Sequence, residues 1–330
     1  MTTKPRLRAL LALFGVLVLT LGLAACGSDD SDDETGDGNG GSASAEAIVA
    51  SPDNEDVSLT IGSKNFTEQI VLGEIYAQAL SAAGYDVETD LNLGSEQIAL
   101  QALENGAVDA YPEYTSTALT SFFELPAQDV PKDVDQAYED TRAQLADLGL
   151  TAFAPTPFTS ANAVGLLRET AEEYDLETIS DLEGVSEELT LNGSPECRQR
   201  VDCLLGLQRD YGLEFAEFNP VDIGLRYQVL DNGTADLSIL FTTDAQLAGG
   251  ESEYVLLEDD QEVFPPGNVM MIASEESVEQ AGPDFKSTVE LVQGDLTEEV
   301  MQELNARVDV DQQTPAQTAR EYLEESGYIE

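Results

Sequence analysis

One motif occurs twice in this chain, and its repetition limits what the chain can fold into. Leu103-Glu104-Asn105-Gly106-Ala107-Val108-Asp109-Ala110-Tyr111-Pro112-Glu113-Tyr114-Thr115-Ser116-Thr117-Ala118 matches Leu230-Asp231-Asn232-Gly233-Thr234-Ala235-Asp236-Leu237-Ser238-Ile239-Leu240-Phe241-Thr242-Thr243-Asp244-Ala245. Leu, Asn-Gly, Asp, an aromatic residue, Thr and Ala stand at the same offsets in both. Each copy reads as a helix end stopped by Asn-Gly, a short strand, and an aromatic-Thr elbow that opens the next helix. Ligands of open α/β sheets bind beyond the carboxyl ends of the strands. Tyr114 and Phe241 stand at such ends, so the two copies describe two lobes whose elbows face one cleft.

The rhythm around the first copy agrees. Val57 to Ile61 alternates polar and apolar residues. Thr67 reads as the cap of a helix carrying Ile70, Leu72, Ile75, Tyr76, Ala79 and Leu80, ended by Gly84. Val87 to Leu93 reads as a strand, and Ser95 as the cap of a helix through Ile98, Leu100 and Leu103 that stops at Gly106. A short strand over Ala107 to Tyr111 and a helix start near Thr115 follow. This βαβα order predicts an α/β fold with a largely parallel sheet. Tyr111 is expected in the core.

The N-terminus reads as an address. Lys4, Arg6 and Arg8 precede an apolar run from Ala9 to Ala25, which ends in Leu23-Ala24-Ala25-Cys26. A basic start, a short apolar segment and small residues before a cysteine describe the signal peptide of a lipoprotein, residues 1–25. The run is short for a membrane span. Cys26 is then the lipidation site, and each buried lipid CH₂ adds about 0.8 kcal/mol of membrane attachment. Residues 26–56 are acidic, small and polar, and are expected to form a disordered tether. The Gly-rich run within them has neither a strand before it nor a helix after it, so it is not a nucleotide-binding loop. No later segment is apolar enough to span a membrane.

Charge and chemistry exclude several functions. There are 65 acidic and 14 basic residues and no histidine. The acidic excess is scattered over the chain, which argues for an acid-coated surface and against nucleic acid. The missing histidine removes the commonest general base and metal ligand. Cys197 and Cys203 lie close together in an exported chain and read as a disulfide. Closing so short a loop is worth about 2 kcal/mol. No Gly-x-Ser-x-Gly elbow is present for a hydrolase. Carboxylate pairs are expected by chance among so many acids. Asp309 and Asp311 alternate as on a strand and do not form a calcium loop. No metal, cofactor or enzymatic activity is expected.

Several longer motifs, in order, carry a resemblance over about Leu59 to Tyr328. They are Gly62-Ser63-Lys64-Asn65-Phe66-Thr67-Glu68-Gln69, Tyr111-Pro112-Glu113-Tyr114-Thr115-Ser116-Thr117, the segment from Ser194-Pro195-Glu196 to Arg200, Phe241-Thr242-Thr243-Asp244, Leu257-Glu258-Asp259-Asp260 with Pro265-Pro266, and Leu304-Asn305-Ala306-Arg307-Val308-Asp309-Val310. The chain resembles the quaternary-amine (glycine betaine, choline, carnitine) binding proteins of osmoprotectant ABC transporters. The resemblance implies a two-lobed type II periplasmic-binding-protein-like α/β fold. Lobe 1 would be residues 57–157 and 265–330, and lobe 2 residues 158–264. It implies reversible capture of a small zwitterion, delivered to an ABC permease and ATPase at the outer face of the cell membrane. A sensor of the same fold for another zwitterion or an amino-acid-like solute is the alternative.

The resemblance also implies a site. Lys64, Arg200 and Thr117 match the family's carboxylate-binding residues. Tyr114 matches one tyrosine of a four-tyrosine ammonium cage, and Phe241 stands at a second position. The third falls at Asn162 and the fourth at Gly267, so two of the family's rings are missing. Phe66, Tyr227 and Phe158 are the candidates to replace them.

Overall fold

The computed structural model describes residues 47–247 and 252–330. The signal segment 1–25, the lipidation position Cys26 and tether residues 26–46 lie outside the described residues. Residues 47–56, expected as the end of the tether, are mostly exposed, yet hydrogen bonds fasten them to the fold. The Ile48 amide donates to the Tyr328 carbonyl at 2.9 Å, and buried Asn54 donates its side-chain amide to the Ala83 carbonyl at 2.9 Å. These few partners are hidden when composition is averaged over the whole stretch.

Among the described residues the strands, in chain order, are β1 (Ser58–Gly62), β2 (Asp86–Asp90), β3 (Ala110–Tyr114), β4 (Leu150–Ala152), β5 (Thr159–Ser160), β6 (Asn162–Leu167), β7 (Thr190–Gly193), β8 (Glu217–Pro220), β9 (Leu237–Phe241), β10 (Tyr254–Leu256) and β11 (Gly267–Ser274). They form two sheets. One has the order β2-β1-β3-β11-β4, with β5 also on β11, and the other has the order β10-β6-β9-β7-β8. The sheets are mixed rather than largely parallel. β1 runs parallel to β2 and β3, and β7 parallel to β8 and β9. β11 is antiparallel to β3 and β4, and β6 is antiparallel to β9 and β10. Connectivity is the cause. The chain leaves the first sheet after β5, completes the second, and returns as β11, so the strand arriving in each sheet runs against its neighbours.

Alternation along β11 fixes the layers of the first sheet. Val269, Met271 and Ala273 join a core with α1 (Thr67–Ala82) and the C-terminal helices Pro283–Gln293, Glu298–Asp309 and Pro315–Glu325. Met270 and Ile272 point the other way, into a core with α2 (Glu96–Glu104). Successive strand residues face opposite sides, so a run of apolar residues is the pattern of a strand covered on both faces. The second sheet has its own core around Val164, Leu166, Leu191, Leu237 and Ile239.

The repeated motif is a repeated structure. Gly106 and Gly233 take φ of +74° and +68°, the left-handed turn that glycine adopts at no steric cost. Asn105 and Asn232 each accept from the amide two residues on, at 3.0 and 2.9 Å. Asp109 Oδ2 accepts from the Thr60 amide at 2.7 Å, and Asp236 Oδ2 from the Thr190 amide at 2.8 Å. Each copy therefore ties its strand to the adjacent parallel strand with the same carboxylate.

Local expectations shift in four places. β3 begins at Ala110, not Ala107, because the Ala107 and Val108 amides close the turn onto the Ala102 carbonyl. β2 ends at Asp90, before Asn92 turns to φ +65°. Thr67 is the first residue of α1 rather than its cap, and its hydroxyl donates to Asp309 Oδ1 at 2.6 Å. Asp309 ends the helix Glu298–Asp309 instead of lying on a strand. Tyr111 is buried in the core.

Candidate functional site

A cavity opens between the two sheets, at the carboxyl ends of their strands. β1 ends two residues before Lys64, β3 ends at Tyr114, β7 at Gly193 and β9 at Phe241. Lys64, Tyr114 and Thr117 line it from the first sheet, and Asn162, Arg200 and Phe241 from the second. All six residues expected to bind ligand thus share one cavity, with Phe66, Glu96, Glu196, Asp202 and Arg226 also in its wall. No group of side chains among the described residues is arranged to hold a metal ion.

Each lining cation is paired. Lys64 and Glu113 form a buried salt bridge. Glu113 also accepts from the Tyr114 amide at 2.8 Å and the Tyr111 hydroxyl at 3.1 Å. A buried charge persists only when paired and hydrogen-bonded, and these contacts meet that demand. The ammonium group has three donors, and one goes to Glu113, which leaves the others for a ligand. Lys64 Nζ also lies 4.5 Å from the Tyr114 ring centroid.

Arg200 lies on the loop between Cys197 and Cys203, which are disulfide-bonded with Cα atoms 5.1 Å apart. Its Nε donates to Asp202 Oδ1 at 2.8 Å, and its Nη1 is 3.4 Å from Glu96 across the cavity. Thr120 donates to Asp202 at 3.1 Å, again across the cavity. Burial alone would raise the Asp202 pKa, but the Arg200 charge and these hydrogen bonds hold it below the usual carboxylate value. Asn162 donates its side-chain amide to the Asp202 carbonyl at 2.9 Å and so fixes the same loop.

Arg226 was not singled out in the sequence. It begins the helix Arg226–Asp231, pairs through Nη2 with Asp244 and stacks its guanidinium 3.9 Å from the Phe241 ring centroid. Asp244 Oδ2 accepts from the Tyr227 hydroxyl at 2.8 Å and the Phe241 amide at 2.9 Å. Burial raises the Asp244 pKa despite the neighbouring Arg226. Arg226 Nη1 is buried with no hydrogen-bond partner among the described residues, a state that costs about 1–3 kcal/mol. Eleven basic residues follow Cys26, and three of them stand in this one cavity. That scarcity was the available signal.

The aromatic wall is Tyr114, Phe66, Phe241 and Phe264. Phe66 stands 6.3 Å from Tyr114 and 5.0 Å from Phe241, ring to ring. Of the candidate replacements, Phe66 alone lines the cavity. Phe158 is buried in the core of the first sheet, and Tyr227 packs on Tyr254 with its hydroxyl on Asp244. Gly267 offers no place for a ring, since a Cβ there would meet Ser116 Oγ at 2.2 Å and the Ser116 amide at 2.9 Å. Behind the wall, the Tyr114 hydroxyl donates to Glu68 at 2.5 Å. Burial raises the Glu68 pKa despite hydrogen bonds from Thr243, Tyr114 and Asn305.

Known proteins share this architecture. The family described as the substrate binding domain of ABC-type glycine betaine transport system matches residues 57–325. A glycine-betaine-binding protein of Pseudomonas aeruginosa is 34% identical over an alignment of 279 residues that covers 81% of this chain and 88% of that protein. A carnitine transport binding protein of Listeria monocytogenes is 28% identical over 83% of this chain and 88% of its own. A crystal structure described as a glycine betaine/carnitine/choline ABC transporter superposes with a TM-score of 0.64 at 27% identity, covering 82% of this chain and all of that one.

Proposed function

The chain belongs to the family of substrate-binding domains of ABC-type glycine betaine transport systems, and we propose that it captures a small zwitterion in the cavity between its two sheets. The family binds a solute for import and does not turn it over. The finer reading is that the sheets act as two lobes, residues 57–157 with 265–330 and residues 158–264 apart from Phe158 and β5, which pack on the first sheet, and that the lobes close on the ligand and present it to a permease and ATPase. Lipidation at Cys26 would hold the receptor at the outer face of the membrane.

One observation carries this reading. Residues distant in sequence converge on a single cavity that offers donors, rings and a carboxylate together. A trimethylammonium group makes no ordinary hydrogen bonds and is held by aromatic faces, at about 0.5–2 kcal/mol per ring. A carboxylate is held by fixed charged donors. Phe66 and Tyr114 supply aromatic surface, and Glu196 adds a carboxylate that forms no salt bridge among the described residues. Lys64, Thr117 and Arg200 supply donors. The crossing between the proposed lobes runs through β5 and β11, which pair Ser160 with Gly267 and Thr159 with Asn268 and would serve as a two-stranded hinge.

Calorimetric titration against glycine betaine, carnitine and choline tests the reading. Lys64→Ala and Tyr114→Ala are each expected to weaken the best of these by about tenfold or more. Wild-type affinity in both folded variants would place the site elsewhere.

A further inference from the structure

Five acidic residues are buried among the described residues: Glu68, Glu96, Glu113, Asp202 and Asp244. Four of them have a cation. Lys64 pairs with Glu113, Arg200 with both Glu96 and Asp202, and Arg226 with Asp244. Glu68 alone forms no salt bridge among the described residues, although it is only 3% exposed. It stands where elements of the two sheets meet. Tyr114 of β3 donates to its Oε1 at 2.5 Å, Asn305 donates to its Oε2 at 3.1 Å, and the Thr243 hydroxyl reaches it from the turn after β9. The same turn is tied to the helix Glu298–Asp309 by Asn305 on the Thr243 carbonyl at 3.0 Å and by Gln302 on the Thr242 carbonyl at 3.3 Å. No element packed here supplies the missing cation. β3 brings Glu113, already on Lys64, and the turn brings Asp244, already on Arg226. The helix Glu298–Asp309 brings Asp309, which accepts from Thr67, and Arg307, which turns to Glu303, Glu321 and Glu325. The helices Pro283–Gln293 and Pro315–Glu325 meet α1 farther along, at Tyr76 and Gln78. A buried carboxyl without a cation takes a proton rather than keep its charge, and burial pushes Glu68 in that direction.

We propose that Glu68 is a positioning residue of the solute site, acting through Tyr114, and that it takes up a proton when the two sheets close on the ligand. Its hydroxyl neighbours belong to opposite sides of that closure, Tyr114 to the first sheet and Thr243 to the turn that follows β9. Parting the sheets draws these neighbours away and lets water reach the carboxyl, which then ionises as an ordinary glutamate does. Closing removes the water and brings no cation in its place. The protonated carboxyl meets Tyr114, Thr243 and Asn305 without a charge, since either hydroxyl can turn to accept its proton. Its bond to the Tyr114 hydroxyl then fixes that ring in the cavity wall. The ionised carboxyl would instead close as a second buried negative charge facing Asp244. The liganded form therefore holds more protons than the open one, and solute affinity falls as pH rises. This proposal rests on the solute-receptor reading above, and the test separates the two.

The chain has no histidine, so from about pH 5 to about pH 7.5 ordinary carboxyls stay ionised, lysines stay charged, and only a displaced carboxyl titrates. The probe is glycine betaine, whose quaternary ammonium and ionised carboxylate do not change over that range; carnitine or choline replaces it if one of them binds more tightly. Calorimetric titration of wild type is expected to show affinity weakening by about threefold or more across the range, at no more than about tenfold per pH unit. Repeating the titration at one pH in two buffers of different ionisation enthalpy is expected to show uptake of up to about one proton per ligand bound. Glu68→Gln fixes the neutral form in nearly the same shape and is expected to flatten the profile and abolish the uptake. A purely structural role for Glu68 would move neither readout. Circular dichroism establishes that the variant is folded, and if it is not, the proton count on wild type decides. No uptake by wild type, an affinity that is level or rises with pH, or an undiminished slope in folded Glu68→Gln overturns the role of Glu68 and leaves the receptor reading standing. A wild type that binds none of glycine betaine, carnitine and choline overturns both.

Discussion

Glu68 shows how a single side chain couples the two sheets. It is fully buried beneath the cavity, where it accepts from Tyr114 of the first sheet and from Asn305 at 3.1 Å. Asn305 also donates to the Thr243 carbonyl at 3.0 Å, on the turn after β9. Burial raises the Glu68 pKa, with a smaller contribution from Asp244. Asp244 and Asp309 are raised for the same reason, and Arg226 opposes the shift at both. A carboxyl raised in the folded state keeps a proton that the unfolded chain releases. Its stabilising contribution is complete below the unfolded value of about 4.3 and is lost as pH rises through the folded value. Glutamine cannot titrate, so the stability of wild type relative to Glu68→Gln is expected to fall as pH rises above the unfolded value of about 4.3. Urea unfolding of both proteins at a series of pH values measures it. Parallel stability curves would show that Glu68 is ionised in the folded protein. The difference between the two proteins is the useful quantity, because the acidic surface they share titrates equally in both.

At the scale of elements, the two copies of the Asn-Gly-x-x-Asp motif do the same job with different reinforcement. Asp109 accepts from Thr60 through Oδ2 and from the Ser277 hydroxyl through Oδ1 at 2.6 Å. Asp236 takes the Thr190 amide alone among the side-chain bonds of the described residues. Each strands a part-buried backbone donor when removed, at about 1–3 kcal/mol. Asp109→Ala is therefore expected to destabilise more than Asp236→Ala, as read by denaturant midpoints, and the opposite order would refute the bond accounting. The disulfide loop is a second element with a dual role. Replacing Cys197 and Cys203 by serine is expected to cost about 2 kcal/mol of stability. It should also weaken solute binding, because Arg200 and Asp202 lie within the loop. Loss of stability with unaltered affinity would separate the loop from the site. These elements were legible in the sequence because turns and short disulfides depend on neighbouring residues. Strand direction was not, since the reversal of β11 follows from where the second sheet interrupts the first. The site divides the same way. Lys64 and Tyr114 follow strand ends that local patterning marks, whereas the stacking of Arg226 on Phe241 depends on a turn that places Asp244 beside both. The crowding of Gly267 by Ser116 depends on the antiparallel register of β3 with β11, which no local pattern encodes.

For the whole molecule the governing quantity is charge. A formal net charge of −51 makes the folded surface repel itself, and compaction works against that repulsion. Two kinds of ion pair oppose it. The buried pairs, Lys64 with Glu113 and Arg226 with Asp244, are shielded from salt by the protein around them. The exposed ones include Lys132 with Glu262, a contact between residues of the two proposed lobes, and Arg320 with Glu324. Exposed pairs are worth about 0–1 kcal/mol each and weaken as salt is added. If they dominated, salt would destabilise the protein. With 65 acidic residues against 14 basic ones, most carboxylates have no cation to lose. Raising sodium chloride from about 0.05 M to about 1 M shortens the Debye length to about 3 Å and screens the repulsion of the many before it costs the few pairs much. The thermal midpoint of the protein is expected to rise over that range. Guanidinium chloride cannot stand in for heat here, because it is itself a salt and changes ionic strength as it denatures. A midpoint that stays level or falls would mean that the acidic coat is spaced widely enough to carry no net penalty, and that the pairs, not the repulsion, set the electrostatic stability of the fold.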